Sequence, residues 1–140
     1  MYSTYTSALN THSPMYCRES LCFEPRYYYQ AIQINVSASG YYSIASGGDL
    51  SASGYLYNGT FDPSFFSQNL ILQNSDGPSL GRFGLEYLLQ SAETYTVVVT
   101  TYYERDTGTF WLFGIGPASI NYKQLTITSK NSRMINVSIF

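Results

Sequence analysis

Charge is what this sequence has least of. Asp, Glu, Lys and Arg make up 11% of its 140 residues, against about 25% in an ordinary soluble domain. The two signs nearly balance, at a formal net charge of -2, and Lys and Arg nowhere form a run. A phosphate backbone would find little to hold, so nucleic acid is excluded as a partner. Histidine occurs once, as His12, between Thr11 and Ser13. Any Ser-His or Cys-His catalytic arrangement would have to use that one residue in a flexible segment. Glu86, Glu93 and Glu104 are the acids from which a glycosidase pair would have to come. Glu86 falls on the outward phase of its strand and the others lie near turns, so all three read as solvated surface. Neither a phosphate loop nor a dinucleotide fingerprint occurs. The expectation is a protein that is not an enzyme and needs no cofactor.

Cysteine is scarce as well. Cys17 and Cys22 are the only two, too few for a zinc site with one histidine. They are either reduced thiols or a local disulfide, and the disulfide is the expected state in an oxidising compartment. No apolar run reaches the roughly 20 residues of a membrane span, so no membrane insertion is expected. Met1 is followed by Tyr-Ser-Thr-Tyr-Thr, without a basic start and an apolar middle. The expectation is that a secretion signal has been removed or that the chain is a segment of a longer precursor. Helical periodicity is absent too.

What the sequence does have is Tyr, at 15, and Phe, at 8, together with alternation of period two. Ile32, Ile34 and Val36 point one way, and Gln33, Asn35 and Ser37 the other. Ala38-Ser39-Gly40 turns the chain into a strand over Tyr41 to Ala45, and Ser46 to Gly54 reads as small and flexible. Tyr55 to Tyr57 is a short strand closed by Asn58-Gly59, and Leu70 to Gln73 is another. Arg82 to Leu89 alternates with Phe83, Leu85, Tyr87 and Leu89 inward. Thr94 to Tyr102, with Val97, Val98 and Val99 apolar on both faces, reads as a central strand. Phe110 to Ile115 follows, and Gln124 to Thr128 with Met134 to Ile139 reads as a closing hairpin. Strands at roughly ten-residue intervals predict an all-β, antiparallel sandwich of about eight to ten strands. Residues 15–140 form that single domain, and 1–14 an extended N-terminal arm or edge strand.

One family shares this order of motifs. Tyr27 to Ile34 with Gly40 to Ile44, then Gly54-Tyr55-Leu56-Tyr57-Asn58, Phe61-Asp62-Pro63-Ser64, the Asp76-Gly77 loop, Thr94 to Tyr102, Thr107-Gly108-Thr109-Phe110 and Gly116-Pro117-Ala118 follow one another. The series resembles bacterial pre-peptidase C-terminal domains. It is closer still to related β-sandwich repeats in large secreted proteins of microbial eukaryotes. The resemblance covers about Ser13 to Ile120. It implies a jelly-roll-like, non-catalytic sandwich, carried in bacteria as an accessory domain of secreted enzymes. Some members bind calcium through acidic loops. Here the matching loop keeps Asp76 beside Asn74 and Ser75, with Asp49 the only acid in the preceding loop. Calcium wants six to eight oxygens with several carboxylates among them, so Asp76 is a weak calcium candidate and no metal is expected.

Three Asn-x-Ser/Thr sequons start at Asn35, Asn58 and Asn136. Asn35 and Asn136 fall on outward strand phases and Asn58 at a turn, so all three are expected to carry N-linked glycans. Tyr41, Tyr42, Tyr102 and Tyr103 are candidates for a sugar-stacking platform or for a protein interface, with the interface favoured. Tyr2, Thr4, Tyr5, Thr6, Ala8 and Leu9 form a candidate assembly arm that adds to a sheet edge of a neighbouring copy. The expected role is an extracellular or cell-surface structural or adhesive module. Its partners would be other copies of itself, as a filament or tandem array. The alternatives are a module that binds extracellular glycans or an accessory domain of a secreted hydrolase.

Overall fold

In a computed structural model, which describes residues 1–18, 22–75 and 81–126, eleven strands build three antiparallel sheets. The strands are β1 (Tyr2–Leu9), β2 (Met15–Tyr16), β3 (Tyr27–Tyr28), β4 (Gln30–Val36), β5 (Gly40–Gly47) and β6 (Ala52–Asn58). They continue with β7 (Leu70–Asn74), β8 (Gly84–Leu89), β9 (Tyr95–Thr101), β10 (Gly108–Ile115) and β11 (Ile120–Leu125). A four-stranded sheet in the order β1-β10-β5-β8 faces a five-stranded sheet in the order β11-β4-β9-β6-β7. β2 and β3 pair separately. The fold is the expected all-β sandwich.

The inner phases of both large sheets make the main core. Ile32, Ile34 and Val36 of β4 and Val97 and Val99 of β9 meet Tyr42 and Ile44 of β5, Leu85 and Leu89 of β8 and Phe110 and Leu112 of β10. Burial of this kind stabilises by roughly 25 cal/mol per Å² of apolar surface removed from water.

A second core lies on the opposite face of the five-stranded sheet. There the β2-β3 pair and the loop over residues 59–69 cover Ala31, Tyr57 and Val98 with Tyr16, Tyr29 and Phe61. Phe61 is the hub: its ring lies 5.6 Å from Tyr16, 5.4 Å from Tyr29 and 4.9 Å from Tyr57. β9 is therefore buried along its whole length. Its polar members are satisfied on the capped side. Thr96 Oγ1 donates to the Gly59 carbonyl at 2.6 Å and Thr100 Oγ1 to the Tyr28 carbonyl at 2.7 Å, which removes the cost of burying an unpaired hydroxyl.

β1 is the outer strand of the four-stranded sheet, in register with β10 from Tyr2 opposite Ile115 to Leu9 opposite Gly108. Tyr5 and Leu9 turn inward onto the core. Between them, Gln30 of the other sheet accepts from Tyr5 Oη at 2.6 Å and donates to Ser7 Oγ at 2.9 Å. Ser3 Oγ accepts from the backbone N–H of Ile120 at 3.1 Å.

Two expected boundaries shift. The strand expected at Tyr55 to Tyr57 begins at Ala52, because Gly54 is a close-approach residue rather than a loop: a Cβ there would lie 2.3 Å from the Phe83 ring. The strand expected to start at Gln124 instead spans Ile120–Leu125 and pairs with β4. The expected hairpin partner at Met134 to Ile139, and with it Asn136, lies outside the described residues, as does Asp76.

Candidate functional site

The outward phase of the four-stranded sheet carries the most distinctive surface. Because Phe110 and Leu112 of β10 are inward, Trp111, Phe113 and Ile115 face out. Opposite them on β1 stand Thr6, Thr4 and Tyr2, and on β5 stand Gly47, Ala45 and Ser43. Tyr41 opposite Leu88, and Ser43 opposite Glu86, continue the face onto β8. Glu86 is the only charge among these positions. Tyr2 stacks on Phe113 with ring centroids 5.2 Å apart. Trp111, 42% exposed, lies across Gly47, where a Cβ would come within 2.0 Å of its ring. The result is a flat aromatic strip over β1 and β10.

The tyrosines singled out in the sequence separate. Tyr41 is 72% exposed on this sheet, whereas Tyr42 is in the core. The Tyr42 hydroxyl donates to the Ala38 carbonyl at 2.6 Å and accepts from the Ala118 N–H at 3.1 Å. Tyr42 is thus no part of a platform, because the strand phase that exposes Tyr41 buries its neighbour. Tyr102 and Tyr103 are half-exposed in the segment after β9 and pack edge to face on each other at 5.1 Å. Trp111 and Phe113, the centre of the exposed strip, went unnoticed in sequence. The signal was present: the period that turns Phe110 and Leu112 inward turns these two outward.

A second feature runs along β8. A groove of about 560 Å³ is lined by Tyr41, Asn58, Ile71, Glu86, Tyr87, Leu88, Gln90, Glu93 and Tyr95. Asn58 is exposed at the end of β6, and the following Gly59 adopts φ +77° with nothing around its Cα that a side chain would meet. Asn35 is half-buried on the other side of the sandwich, opposite Asn121 of β11. Tyr87, expected inward, lies on the inward phase but is 37% exposed because β8 is an outer strand.

Cys17 and Cys22 sit at disulfide distance, with Cα atoms 6.1 Å apart, beside the β2-β3 pair. The hydroxyls of Tyr16, Tyr29 and Tyr57 beneath are pushed well above their ordinary range, chiefly by burial.

Of the catalytic candidates among the described residues, Glu86 and Glu93 come to one groove, while His12 and Glu104 lie apart from it. His12 is exposed, its backbone N–H bonded to Asn10 Oδ1. Glu104 forms an exposed ion pair with Arg26 at 3.3 Å. Glu86 and Glu93 share the β8 groove without a histidine or cysteine in its walls. Among the described residues no three His, Cys, Asp or Glu side chains are grouped to hold a metal. Asp49 accepts from Thr109 Oγ1 at 3.0 Å, and Asn74 Oδ1 accepts from the Gly84 N–H at 2.8 Å. Compared with protein-family models and with curated proteins, the chain matches none.

Proposed function

We propose that this protein is a non-catalytic structural or adhesive module of the extracellular space that associates with further copies of itself. The observation that carries the reading is the apolar strip of Tyr2, Trp111, Phe113 and Ile115, set among paired strand positions of which only Glu86 is charged, with Arg82 just before β8. Charges are depleted and aromatic residues enriched at the centres of protein interfaces. A second copy is the fitting occupant, because a charge-poor, self-complementary patch offers no electrostatic basis for selecting a partner of opposite sign. Four strands spaced about 4.8 Å apart give a face of roughly 500 Å², below the about 800 Å² per partner of a stable pair. One such contact is weak, and repetition along a filament or tandem array multiplies it. Cys17 and Cys22 at disulfide distance suit an oxidising compartment.

The test is sedimentation velocity over a concentration series, with electron microscopy of concentrated samples. The intact protein is expected to associate reversibly. The double variant Trp111→Ser, Phe113→Ser is expected to stay folded by circular dichroism and to sediment as a monomer. A wild-type protein that remains monomeric at millimolar concentration overturns the reading. If that monomer binds polysaccharide through Trp111, the module is a carbohydrate-binding one instead.

A further inference from the structure

We infer that the groove along β8 seats the inner sugars of a glycan carried on Asn58. The inference rests on the extracellular reading above but not on self-association. Asn58-Gly59-Thr60 is a sequon, and its acceptor side chain belongs to the groove wall itself rather than to a distant turn. The volume of about 560 Å³ falls within the roughly 300–1,000 Å³ of small-ligand sites.

Its lining suits a sugar. A hexose ring presents an apolar C–H face and a rim of hydroxyls. Tyr41, at 72% exposure, and Tyr87, at 37%, line the groove from the two phases of the sheet edge with aromatic carbon on which the former can pack. Glu86 and Glu93 accept hydrogen bonds from the latter as charge-assisted bonds, and the Gln90 amide both donates and accepts. Neither Glu86 nor Glu93 forms an ion pair among the described residues.

The tether decides between a glycan of this chain and a free saccharide. A group attached through a short flexible link experiences an effective concentration in the millimolar range. A weak stack on two tyrosines is then enough to fill the groove, whereas a free sugar would need far better contacts. The aromatic strip of β1 and β10 lies on the other two strands and stays uncovered. The glycan would shield the β8 edge of the sheet, with Tyr41 and Glu86, and leave the aromatic strip of β1 and β10 open.

The experiment uses the full chain secreted from eukaryotic cells. Glycopeptide mass spectrometry first reads occupancy of Asn58. Proton NMR then looks for Overhauser contacts between the Tyr41 and Tyr87 rings and the N-acetyl and ring protons of the first sugars. In a chain carrying Ser37→Ala and Ser138→Ala, which leaves Asn58 as the one sequon, enzymatic removal of the glycan is expected to lower Tm by roughly 3 °C. The same treatment should have no effect in Tyr41→Ala, Tyr87→Ser, where the stack is gone. Thr60→Ala in the same background, which keeps Asn58 but removes its sequon, should match the deglycosylated chain. An occupied Asn58 with no contacts to either ring, and an equal Tm loss in both backgrounds, overturns the inference. So does an unmodified Asn58, a result that leaves the sedimentation test of self-association unaffected.

Discussion

The indole of Trp111 lies across Gly47, the residue opposite it on the neighbouring strand, and occupies the space where any side chain at 47 would begin. Gly47 is therefore the floor of the aromatic strip. Gly47→Ala is expected to drive the ring outward into solvent. Overpacking costs about 1–3 kcal/mol, and the lower end applies because the half-exposed indole is free to swing away. Urea denaturation should register about 1 kcal/mol, and the tryptophan emission should shift to the red. Sedimentation should weaken with it, because the strip is no longer flat. An unchanged emission spectrum would mean the ring does not rest there.

Phe61 holds the second core together, and its loss is a different kind of defect. Phe→Ala substitutions in cores cost about 3–5 kcal/mol. Phe61 touches three tyrosines, so Phe61→Ala is expected to cost about 3 kcal/mol. The near-ultraviolet circular dichroism of the tyrosines should fall while the far-ultraviolet spectrum is kept. A loss under 1 kcal/mol would show that the cap contributes little.

A bridge between Cys17 and Cys22, which sit at disulfide distance, would close a short loop, worth about 2 kcal/mol in the loop-entropy treatment. Cys17→Ser, Cys22→Ser should therefore act locally. Hydrogen exchange is expected to quicken at Met15–Tyr16 and Tyr27–Tyr28, with the amides of β9 still protected. Non-reducing peptide mapping of the native protein should recover the two cysteines linked to each other. Free thiols, or a link between chains, would contradict the pairing.

Alkali supplies a titration of the second core. Burial raises the folded-state pKa of Tyr16, Tyr29 and Tyr57 above the value of about 10 that each takes in the unfolded chain. Above pH about 10 the unfolded chain holds fewer protons than the folded one, so stability falls as pH rises. The contribution is fully present below pH 10 and is lost progressively as pH climbs through the folded-state values. Absorbance at 295 nm should show exposed tyrosines ionising first, then a cooperative step coincident with loss of circular dichroism. A single smooth ionisation of every tyrosine near pH 10, without unfolding, would contradict this.

The sandwich was legible wherever one phase of a strand is plainly apolar. Ile32, Ile34 and Val36 announce β4, and Val97, Val98 and Val99 announce a strand covered on both faces. β1 hides its inward side because that phase reads Ser3, Tyr5, Ser7, Leu9. The two serines are satisfied by Ile120 and by Gln30, partners that no local pattern discloses. The cap was invisible for another reason: two-residue strands carry no period, and they are ordered by the aromatic packing beneath them. The groove on β8 depends on Tyr41, Asn58 and Ile71 approaching a strand distant from them in sequence. Its sequon could be read, and its walls could not.

The pairing of β1 has a consequence in time. Its start is anchored by the Met1 amino group donating to the Gly116 carbonyl at 3.0 Å, 115 residues away. A ribosome adds about 5–20 residues per second, so β1 waits on the order of ten seconds before its own β10 exists. Throughout that interval Tyr2 to Leu9 is an open row of backbone donors and acceptors with nothing in its own chain to meet them. The contact that closes this edge of the sheet therefore becomes available only after most of the described chain has been made.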